Sequence, residues 1–313
     1  MAQVIVVGEC MLELLRQGQE QGKDQGWLLG YAGDSFNTAL YLCRLDVPVA
    51  YLTALGADPF SQEMRAAWAG EGIDISLVLT DATRLPGLYV TRNDADGERH
   101  FYYWRENAAA RRLFTLPGIE AVLERARRAE YLFLSGVTLS IFTAAERELL
   151  VQIAAQVRAR GGAVVFDPNY RPALWSSVAQ ARAAFAALAP TVTLTLPTYT
   201  DEAALFGDSD PLLSVARWRG LGVTEVIVKL GAQGCLVAYG DDPPQIAPAL
   251  PVAAIDTTGA GDAFNAAYLA GRIAGLTAPA AARAANRLAG EVVQHRGAIL
   301  SRERMTALGN LWA

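Results

Sequence analysis

Cysteine and histidine are scarce in this chain of 313 residues, which contains three cysteines and two histidines. The cysteines, Cys10, Cys43 and Cys235, are odd in number and far apart, which disfavours a disulfide framework and matches no metal-ligand spacing. The histidines, His100 and His295, provide almost no material for a histidine-based zinc site or a Ser-His-Asp triad. Zinc enzymes and hydrolases with such a triad are therefore not expected.

A strong charge of either sign and a long apolar run are also missing. The chain has 27 basic and 32 acidic residues, and this mild acidic balance argues against nucleic acid or an anionic membrane as the main partner. Pro190 and Pro197 interrupt the longest uncharged run, which predicts a helix end and a strand there, not a membrane span. Residues 1–9 lack the basic start and cleavage pattern of a signal peptide, so a cytoplasmic location is expected.

Hydrophobic residues make up 52% of the chain and charged residues 19%, a globular composition for two small domains or one large α/β domain. Strands are predicted over residues 4–7, 49–54, 131–135, 163–166, 192–196, 225–230 and 235–238. Helices are predicted over residues 35–45, 59–71, 118–129, 144–160, 178–188, 212–221, 261–274 and 279–295. This alternation predicts an α/β fold with a doubly wound, mostly parallel sheet flanked by helices.

Two segments interrupt the alternation. Residues 11–33 show no helix signal, and residues 87–105 predict a hairpin with its turn at residues 94–97. Both lie between predicted parallel strands, so we expect them to project from one sheet edge as a small β lid, with exposed aromatics that could cover a ligand or a partner subunit. No linker is evident, which predicts one domain over residues 1–313 with lid segments 11–33 and 86–106 inserted.

Residues 256–262, Asp-Thr-Thr-Gly-Ala-Gly-Asp, run directly into an apolar-periodic helical pattern. A glycine-rich turn before a helix points backbone N–H groups and the positive end of the helix dipole at one place, where an anion is stabilised. A carboxylate, Asp262, is predicted at the same place and would repel a resident anion. The combination suits a phosphoryl group in transit, with Asp262 accepting a proton from the attacking hydroxyl. The motif therefore predicts a small-molecule kinase, although a tight turn with Asp262 as a plain N-cap is the alternative.

Other polar residues are predicted at the carboxyl ends of strands, where ligands bind in open α/β sheets. They are Asp34, Asn37, Asp167, Asn169, Arg171, Lys229, Gly231 and Gly234. We expect them to converge with Asp262 on one edge of the sheet.

Several motifs resemble those of the ribokinase-like (PfkB) carbohydrate kinases over nearly the whole chain. They are residues 8–13 (Gly-Glu-Cys-Met-Leu-Glu), 32–39 (Ala-Gly-Asp-Ser-Phe-Asn-Thr-Ala), 53–56 (Thr-Ala-Leu-Gly), 102–105 (Tyr-Tyr-Trp-Arg), 166–172 (Phe-Asp-Pro-Asn-Tyr-Arg-Pro), 256–262 and 296–299 (Arg-Gly-Ala-Ile). The 256–262 motif is highly specific for the family, and residues 102–105 and 169–172 point to its ketodeoxygluconate branch. The resemblance implies a ribokinase-like fold with a small β lid.

The resemblance implies roles at the sugar. Asp262 resembles the general base, and the N–H groups of Gly259, Ala260 and Gly261 would hold the transferring phosphoryl group. The residues that resemble contacts of the sugar hydroxyls are Gly33, Asp34 and Asn37, with Asp34 as an N-cap in the alternative. The residues that resemble readers of the acid end are Tyr103, Arg105 and Arg171, because an arginine fork bonds a carboxylate at two points. Arg105 is otherwise a solvated lid charge paired with Glu106 or Glu98, and Tyr89 is either a substrate contact or a packing residue.

The resemblance also implies ATP and Mg²⁺ sites. The nucleotide-side residues would be Asn169, Lys229, Gly231, Gly234, Gly259, Gly261 and Asn286, the last alternatively a solvated helix residue. Glu202 would organise Mg²⁺ through water, although Tyr199 stands where the family has asparagine and Glu202 also suits a first helical turn. Asp256 and Thr258 resemble ligands of a monovalent cation such as K⁺.

The resulting hypothesis is ATP-dependent phosphorylation of 2-keto-3-deoxy-D-gluconate at its terminal hydroxyl, giving the 6-phosphate, by a homo-oligomer that associates through the lid. The alternatives are another ribokinase-like kinase, acting on fructose, ribose or a related deoxy-keto acid, and a non-catalytic sugar-binding sensor. Neither the preference between gluco and galacto acids nor the oligomer number follows from the sequence.

Overall fold

The computed structural model describes residues 3–16, 26–93 and 99–312 of the chain. The strands are β1 (Val4–Val7), β2 (Met11–Arg16), β3 (Trp27–Ala32), β4 (Val49–Gly56), β5 (Val78–Asp81), β6 (Leu88–Asn93), β7 (Arg99–Trp104), β8 (Tyr131–Ser135), β9 (Ala163–Asp167), β10 (Leu194–Thr195), β11 (Glu225–Lys229), β12 (Cys235–Tyr239) and β13 (Gln245–Ala247). The α-helices are α1 (Asp34–Arg44), α2 (Pro59–Glu71), α3 (Ile119–Ala126), α4 (Gly136–Ser140), α5 (Ala144–Ala159), α6 (Val178–Leu188), α7 (Tyr199–Phe206), α8 (Pro211–Gly220), α9 (Ala260–Ile273), α10 (Ala278–Val292) and α11 (Arg302–Ala307).

Nine strands form the large sheet, in the order β13-β12-β11-β10-β9-β8-β1-β4-β5. Every pairing from β11 to β5 is parallel, and only β12 and β13 are antiparallel to their neighbours. The central strands β1 and β4 are buried along their whole length, as expected of apolar strands covered on both faces. Separate hydrophobic clusters fill the two faces of this sheet. The prediction of a doubly wound, mostly parallel sheet flanked by helices is confirmed.

The structure differs from the predicted elements mainly in its short strands and helices. The strand expected over residues 192–196 is reduced to β10, because a 3₁₀ turn containing Pro190 precedes it. The short elements β5, β13, α4, α7 and α11 were missed, since three to eight residues carry too little periodicity to stand out.

The remaining strands form a second, small sheet in the order β3-β2-β6-β7. Its strands fall in the two segments that interrupt the alternation, and β6 and β7 pair as the predicted hairpin. The predicted turn at residues 94–97 lies outside the described residues, as do residues 17–25 of the first segment. Met11, Ala32 and Tyr89 form a small buried cluster under this sheet.

The small sheet stands at the carboxyl edge of the large sheet, because β2 follows β1 and β3 leads into α1. The two sheets together frame the site described below. Within the described ranges, no helix has the length and apolar character needed to cross a bilayer.

Candidate active site

One cavity of about 1510 Å³ lies between residues of the two sheets. This volume exceeds the ~300–1,000 Å³ of a pocket for one drug-sized ligand, so two small molecules fit side by side. The predicted site residues that line it are Gly33, Asp34, Asn37, Tyr89, Tyr103, Arg105, Asn169, Arg171, Lys229, Asp256, Thr258, Gly259, Gly261 and Asp262. The expected convergence on one sheet edge therefore holds for most of the predicted site residues.

The glycine-rich turn of residues 256–262 forms the start of α9. Gly259 is the N-cap residue and has φ 75°, in the left-handed region that favours glycine. A Cβ on Gly259 would also lie 2.5 Å from the carbonyl oxygen of Ala298, so no other residue fits. The N–H groups of Gly261 and Asp262 belong to the first turn and have no acceptor within the helix. This turn is therefore shaped to receive an anion from the cavity.

Asp262 is the third residue of α9 and does not cap it, so the N-cap alternative is wrong. Its Oδ2 accepts a hydrogen bond of 2.8 Å from Nδ2 of Asn37. Burial, and next the negative charge of Asp34, raise the pKa of Asp262 to about 8, while the Asn37 hydrogen bond opposes the shift. A carboxylate with a pKa near neutrality, held by an amide at the cavity wall, is suited to proton transfer.

The first turn of α1 contributes the neighbouring polar groups. Gly33 precedes the helix, and a Cβ there would lie 2.3 Å from the carbonyl oxygen of Glu9. Asp34 begins the helix, and its Oδ2 accepts a 2.9 Å hydrogen bond from Nδ2 of Asn169. Asn169 was expected on the nucleotide side, but the structure places its side chain against Asp34, at the group of residues expected to contact the sugar.

Arg105 is buried, with 4% of its surface exposed, so it is not a solvated lid charge. Its Nη2 donates to Oε2 of Glu9, and its guanidinium lies 5.9 Å from the ring centre of Tyr103. Of the two partners considered for the solvated alternative, Glu98 lies outside the described residues. Arg105 therefore presents a rigidly held cation at the cavity wall.

Arg171 is the remaining predicted reader of the acid end, and Tyr89 was predicted as either a substrate contact or a packing residue. The hydroxyl of Tyr89 donates to Oε1 of Glu13, and its ring is buried beside Tyr103. Arg171 is half exposed, and its Nη1 donates to Oδ2 of Asp201 at 3.1 Å. Burial raises the pKa of Tyr103, and the charges of Arg105 and Arg171 both oppose that shift, so both cations lie near its hydroxyl.

Some site residues were missed in the sequence. Glu9 and Asp201 line the cavity as partners of the two arginines, and Asn265 contacts both Asp167 and Lys229. Asp167 was among the residues expected at the carboxyl ends of strands, and it stands at the end of β9. Nothing in the sequence pairs Glu9 with Arg105, because 96 residues separate them.

Other predicted residues do not reach the cavity. Glu202 is buried in α7, and its Oε2 accepts from Nη1 of Arg217 at 3.2 Å and from Nε1 of Trp218 at 3.0 Å. Asn286 is buried, not solvated, and its Nδ2 donates to the carbonyl oxygen of Ala247 at 2.9 Å. Gly231 and Gly234 shape the β11–β12 turn away from the cavity lining, and Gly234 has φ 95°.

Asp256 connects the turn before α9 to a second loop. Its Oδ1 accepts from the N–H of Thr258 at 2.9 Å, and its Oδ2 accepts from the N–H of Gly297 at 2.6 Å. Within the described part of the chain, no group of three or more His, Cys, Asp or Glu side chains is arranged to hold a metal ion.

Comparisons with known proteins show the family of the chain. The family described as "pfkB family carbohydrate kinase" matches residues 1–305. The chain is 41% identical over 311 residues to 2-dehydro-3-deoxygluconokinase of Escherichia coli strain K12, covering 97% of this chain and 99% of that protein. Among solved structures, a PfkB protein from Polaromonas sp. JS666 is 29% identical with a TM-score of 0.83, covering 98% of this chain and 100% of that chain.

A putative ribokinase II from E. coli, solved in complex with ATP and Mg²⁺, is 25% identical with a TM-score of 0.83 and covers 98% of each chain. Because the family model matches residues 1–305 and the E. coli relative is 41% identical over 97% of this chain, the chain belongs to the pfkB family of carbohydrate kinases.

Proposed function

We propose that the protein phosphorylates 2-keto-3-deoxy-D-gluconate at its terminal hydroxyl with ATP, giving the 6-phosphate. The observation that carries this proposal is one cavity that is lined by Tyr103, Arg105 and Arg171 and also by Asp262 and the start of α9. A neutral sugar has no carboxylate to meet two arginines. The names of relatives such as the E. coli enzyme support the same substrate.

Asp262 acts as the general base in this proposal. It accepts the proton of the sugar hydroxyl, while Asn37 fixes the orientation of the carboxylate. The N–H groups of Gly259 and Gly261 face the developing charge on the transferring phosphoryl group, whereas the N–H of Ala260, which the resemblance also implied, donates to the carbonyl oxygen of Thr257 at 3.3 Å. These donors are fixed before the reaction by the turn, so no reorganisation is needed when charge develops.

The sugar lies along the small sheet. Gly33, Asp34 and Asn37 contact its hydroxyls, and the backbone approaches closely at Gly33 because that residue has no side chain. The acid end meets a separate group of side chains, which consists of Tyr89, Tyr103, Arg105 and Arg171. The planar guanidinium of Arg171 suits a carboxylate because it offers two parallel donors.

ATP occupies the remaining part of the cavity, beside Lys229, Gly259 and Gly261. Asn169 is assigned to the sugar side, and Gly231, Gly234 and Asn286 support the nucleotide side from behind the cavity lining. When bound, Mg²⁺ would neutralise phosphate charge. Glu202 turns toward Arg217 and Trp218, so it would not organise the ion through water. A monovalent cation at Asp256 and Thr258 stays a prediction.

Coupled kinetics with a panel of sugars tests the function. We expect kcat/KM for 2-keto-3-deoxygluconate to exceed that for fructose and ribose by at least about a hundredfold. This is the rate effect expected from one charged hydrogen bond to the acid end, which the neutral sugars lack. Faster turnover of either neutral sugar would contradict the assignment of the acid end. ATP binding without turnover of any sugar would favour a sensor.

The raised pKa of Asp262 predicts a pH dependence. Below about pH 8 the carboxyl group is protonated and cannot accept a proton, so kcat/KM for the sugar should rise with pH and level off above pH 8. Asp34→Asn removes a like charge and should move this rise to lower pH. A wild-type profile that is flat between pH 6 and pH 9 would contradict the assignment of Asp262 as the base.

We propose that the small sheet is both a lid over the sugar and an oligomer interface. Strand alternation sends Phe101 and Tyr103 to the cavity, and leaves Tyr102 and Trp104 on the outer face with 50% and 59% of their surfaces exposed. Exposed aromatics on an edge strand favour association with a second copy. In analytical ultracentrifugation the wild-type protein should therefore sediment as an oligomer, and the Trp104→Glu variant should sediment as a smaller species.

The matched control for the interface is Leu250→Glu. Leu250 is 72% exposed but lies outside the small sheet, so this variant should sediment as wild type does. Equal dissociation of both variants, or a monomeric wild type, would contradict an interface at the small sheet.

A further inference from the structure

Asp167, Lys229 and Asn265 form a closed hydrogen-bonded triangle in the cavity wall. Nζ of Lys229 donates to Oδ2 of Asp167 at 2.9 Å and to Oδ1 of Asn265 at 3.0 Å. Nδ2 of Asn265 donates to the same Asp167 oxygen at 2.6 Å. All three side chains are buried, Asn265 completely. The ammonium group of Lys229 is therefore held in one position.

That position is directly behind the first turn of α9. Lys229 ends β11, and Asn265 stands three residues after Asp262 on the helix. A Cβ on Gly261 would lie 3.6 Å from Nζ of Lys229, so the ammonium is in contact distance of the turn that receives the anion. Asp167 and Lys229 both line the cavity.

Stability alone is a poor explanation for the triangle. Removing an ammonium and a carboxylate from water is costly, and well-packed apolar side chains often serve a fold equally well or better. An ammonium group has three hydrogens, and the triangle uses two of them. The third is available to an oxygen atom of a ligand in the cavity.

We propose that Lys229 is a catalytic residue that donates its third hydrogen to the phosphoryl group in transit, with Asp167 and Asn265 as positioning residues. This rests on the proposed function. In the step, the sugar oxygen forms a bond to the terminal phosphorus of ATP, and the bond from that phosphorus to the bridging oxygen breaks. The electron pair leaves with ADP, and the sugar proton passes to Asp262. Lys229 keeps its protons and stabilises the charge of the moving group.

Calorimetric binding of two nucleotides tests the contact without any sugar. The probes are ADP and a nonhydrolysable ATP analogue with an imido group between its last two phosphates, each with Mg²⁺. Lys229→Met should weaken binding of the analogue at least about tenfold and that of ADP less than about twofold, because only the analogue carries the terminal group. In sugar kinetics, kcat should fall about a hundredfold with the sugar KM unchanged.

Asn265→Leu keeps the ammonium but removes one of its two acceptors, so it should give an intermediate loss for the analogue. It also carries the test if Lys229→Met does not fold. Arg272→Met is the matched control, because it breaks a partly buried ion pair with Glu225 between the same strand and the same helix, at their other ends. This variant should lose stability and keep the ratio of the two affinities.

Equal weakening of both nucleotides, or no weakening of either, in Lys229→Met and Asn265→Leu would overturn the proposal. Because the calorimetric measurements need no sugar, they can still be interpreted if the assigned substrate is wrong. That error would instead appear as turnover of a different sugar by the wild type.

Discussion

Asp262→Asn is expected to lower kcat about a thousandfold, within the 10²–10⁴ range of general-base catalysis, while binding of sugar and nucleotide survives. The amide has nearly the same shape as the carboxylic acid but cannot take up a proton at neutral pH. Coupled kinetics with 2-keto-3-deoxygluconate measures the loss, and calorimetry measures the retained binding.

The same variant should also change the pH dependence of stability. The folded-state pKa of Asp262, about 8, lies above its ordinary value, so the folded protein holds this proton more tightly than the unfolded chain. Its contribution to stability is therefore present at low pH and is lost as the pH rises toward 8. Asp262→Asn removes that loss, so its melting temperature should fall less than that of the wild type between pH 5 and pH 9.

Glu120→Gln is the matched control for Asp262→Asn. Glu120 also lies in the first turn of a helix, α3, but it is exposed and does not line the cavity. The kcat of Glu120→Gln and the pH dependence of its stability should equal those of the wild type. Retention of a tenth or more of the wild-type kcat in Asp262→Asn would exclude Asp262 as the proton acceptor.

Arg105→Met is expected to lower kcat/KM for the sugar acid about a hundredfold and that for fructose less than about threefold. The physical reason is the loss of a charged hydrogen bond to the acid end, worth about 1.5–3 kcal/mol, which a neutral sugar never makes. The side chain is buried beside Glu9, so the change also leaves a buried carboxylate without its cation. Kinetics on both sugars separates the two effects, because a general loss of folded enzyme lowers both rates equally.

Two controls sharpen the Arg105 experiment. Arg92→Met alters an exposed arginine on β6 of the same small sheet and should leave both rates unchanged. Arg105→Met combined with Glu9→Gln removes the uncompensated charge, and should restore stability without restoring the preference for the acid. An equal loss on acid and fructose in the double variant would show that Arg105 does not read the carboxylate.

The parts of the site that the sequence predicted are those encoded by adjacent residues. The turn at Gly259 requires a residue that tolerates a positive φ and has no side chain, followed by a helix. All of these features are encoded within a few neighbouring positions of the sequence. The parallel sheet follows from the alternation of apolar runs and helical patterns, because a helix between two strands is the connection that parallel pairing requires. The order of the strands within the sheet was not predicted.

The parts that were missed depend on side chains brought together from distant positions. Asn265 reads in the sequence as one more residue of an apolar helix, and its contact with Asp167 spans 98 positions. Glu202 and Asp201 are neighbours, and only the direction of α7 decides that Asp201 faces the cavity while Glu202 meets Trp218. The direction in which α7 presents these two side chains cannot be predicted from the residues around them.

The strand order of the large sheet has a consequence for synthesis on the ribosome. From β8 to β13 each strand lies beside the one made just before it, so the growing chain always has a formed edge on which to lay its next strand. The helix that carries Asp262 comes after the last of these strands. A nascent chain can thus build its scaffold strand by strand, yet it acquires Asp262, the proposed proton acceptor, only when most of the polypeptide has emerged. Translation products that stop before residue 262 are therefore expected to be inactive.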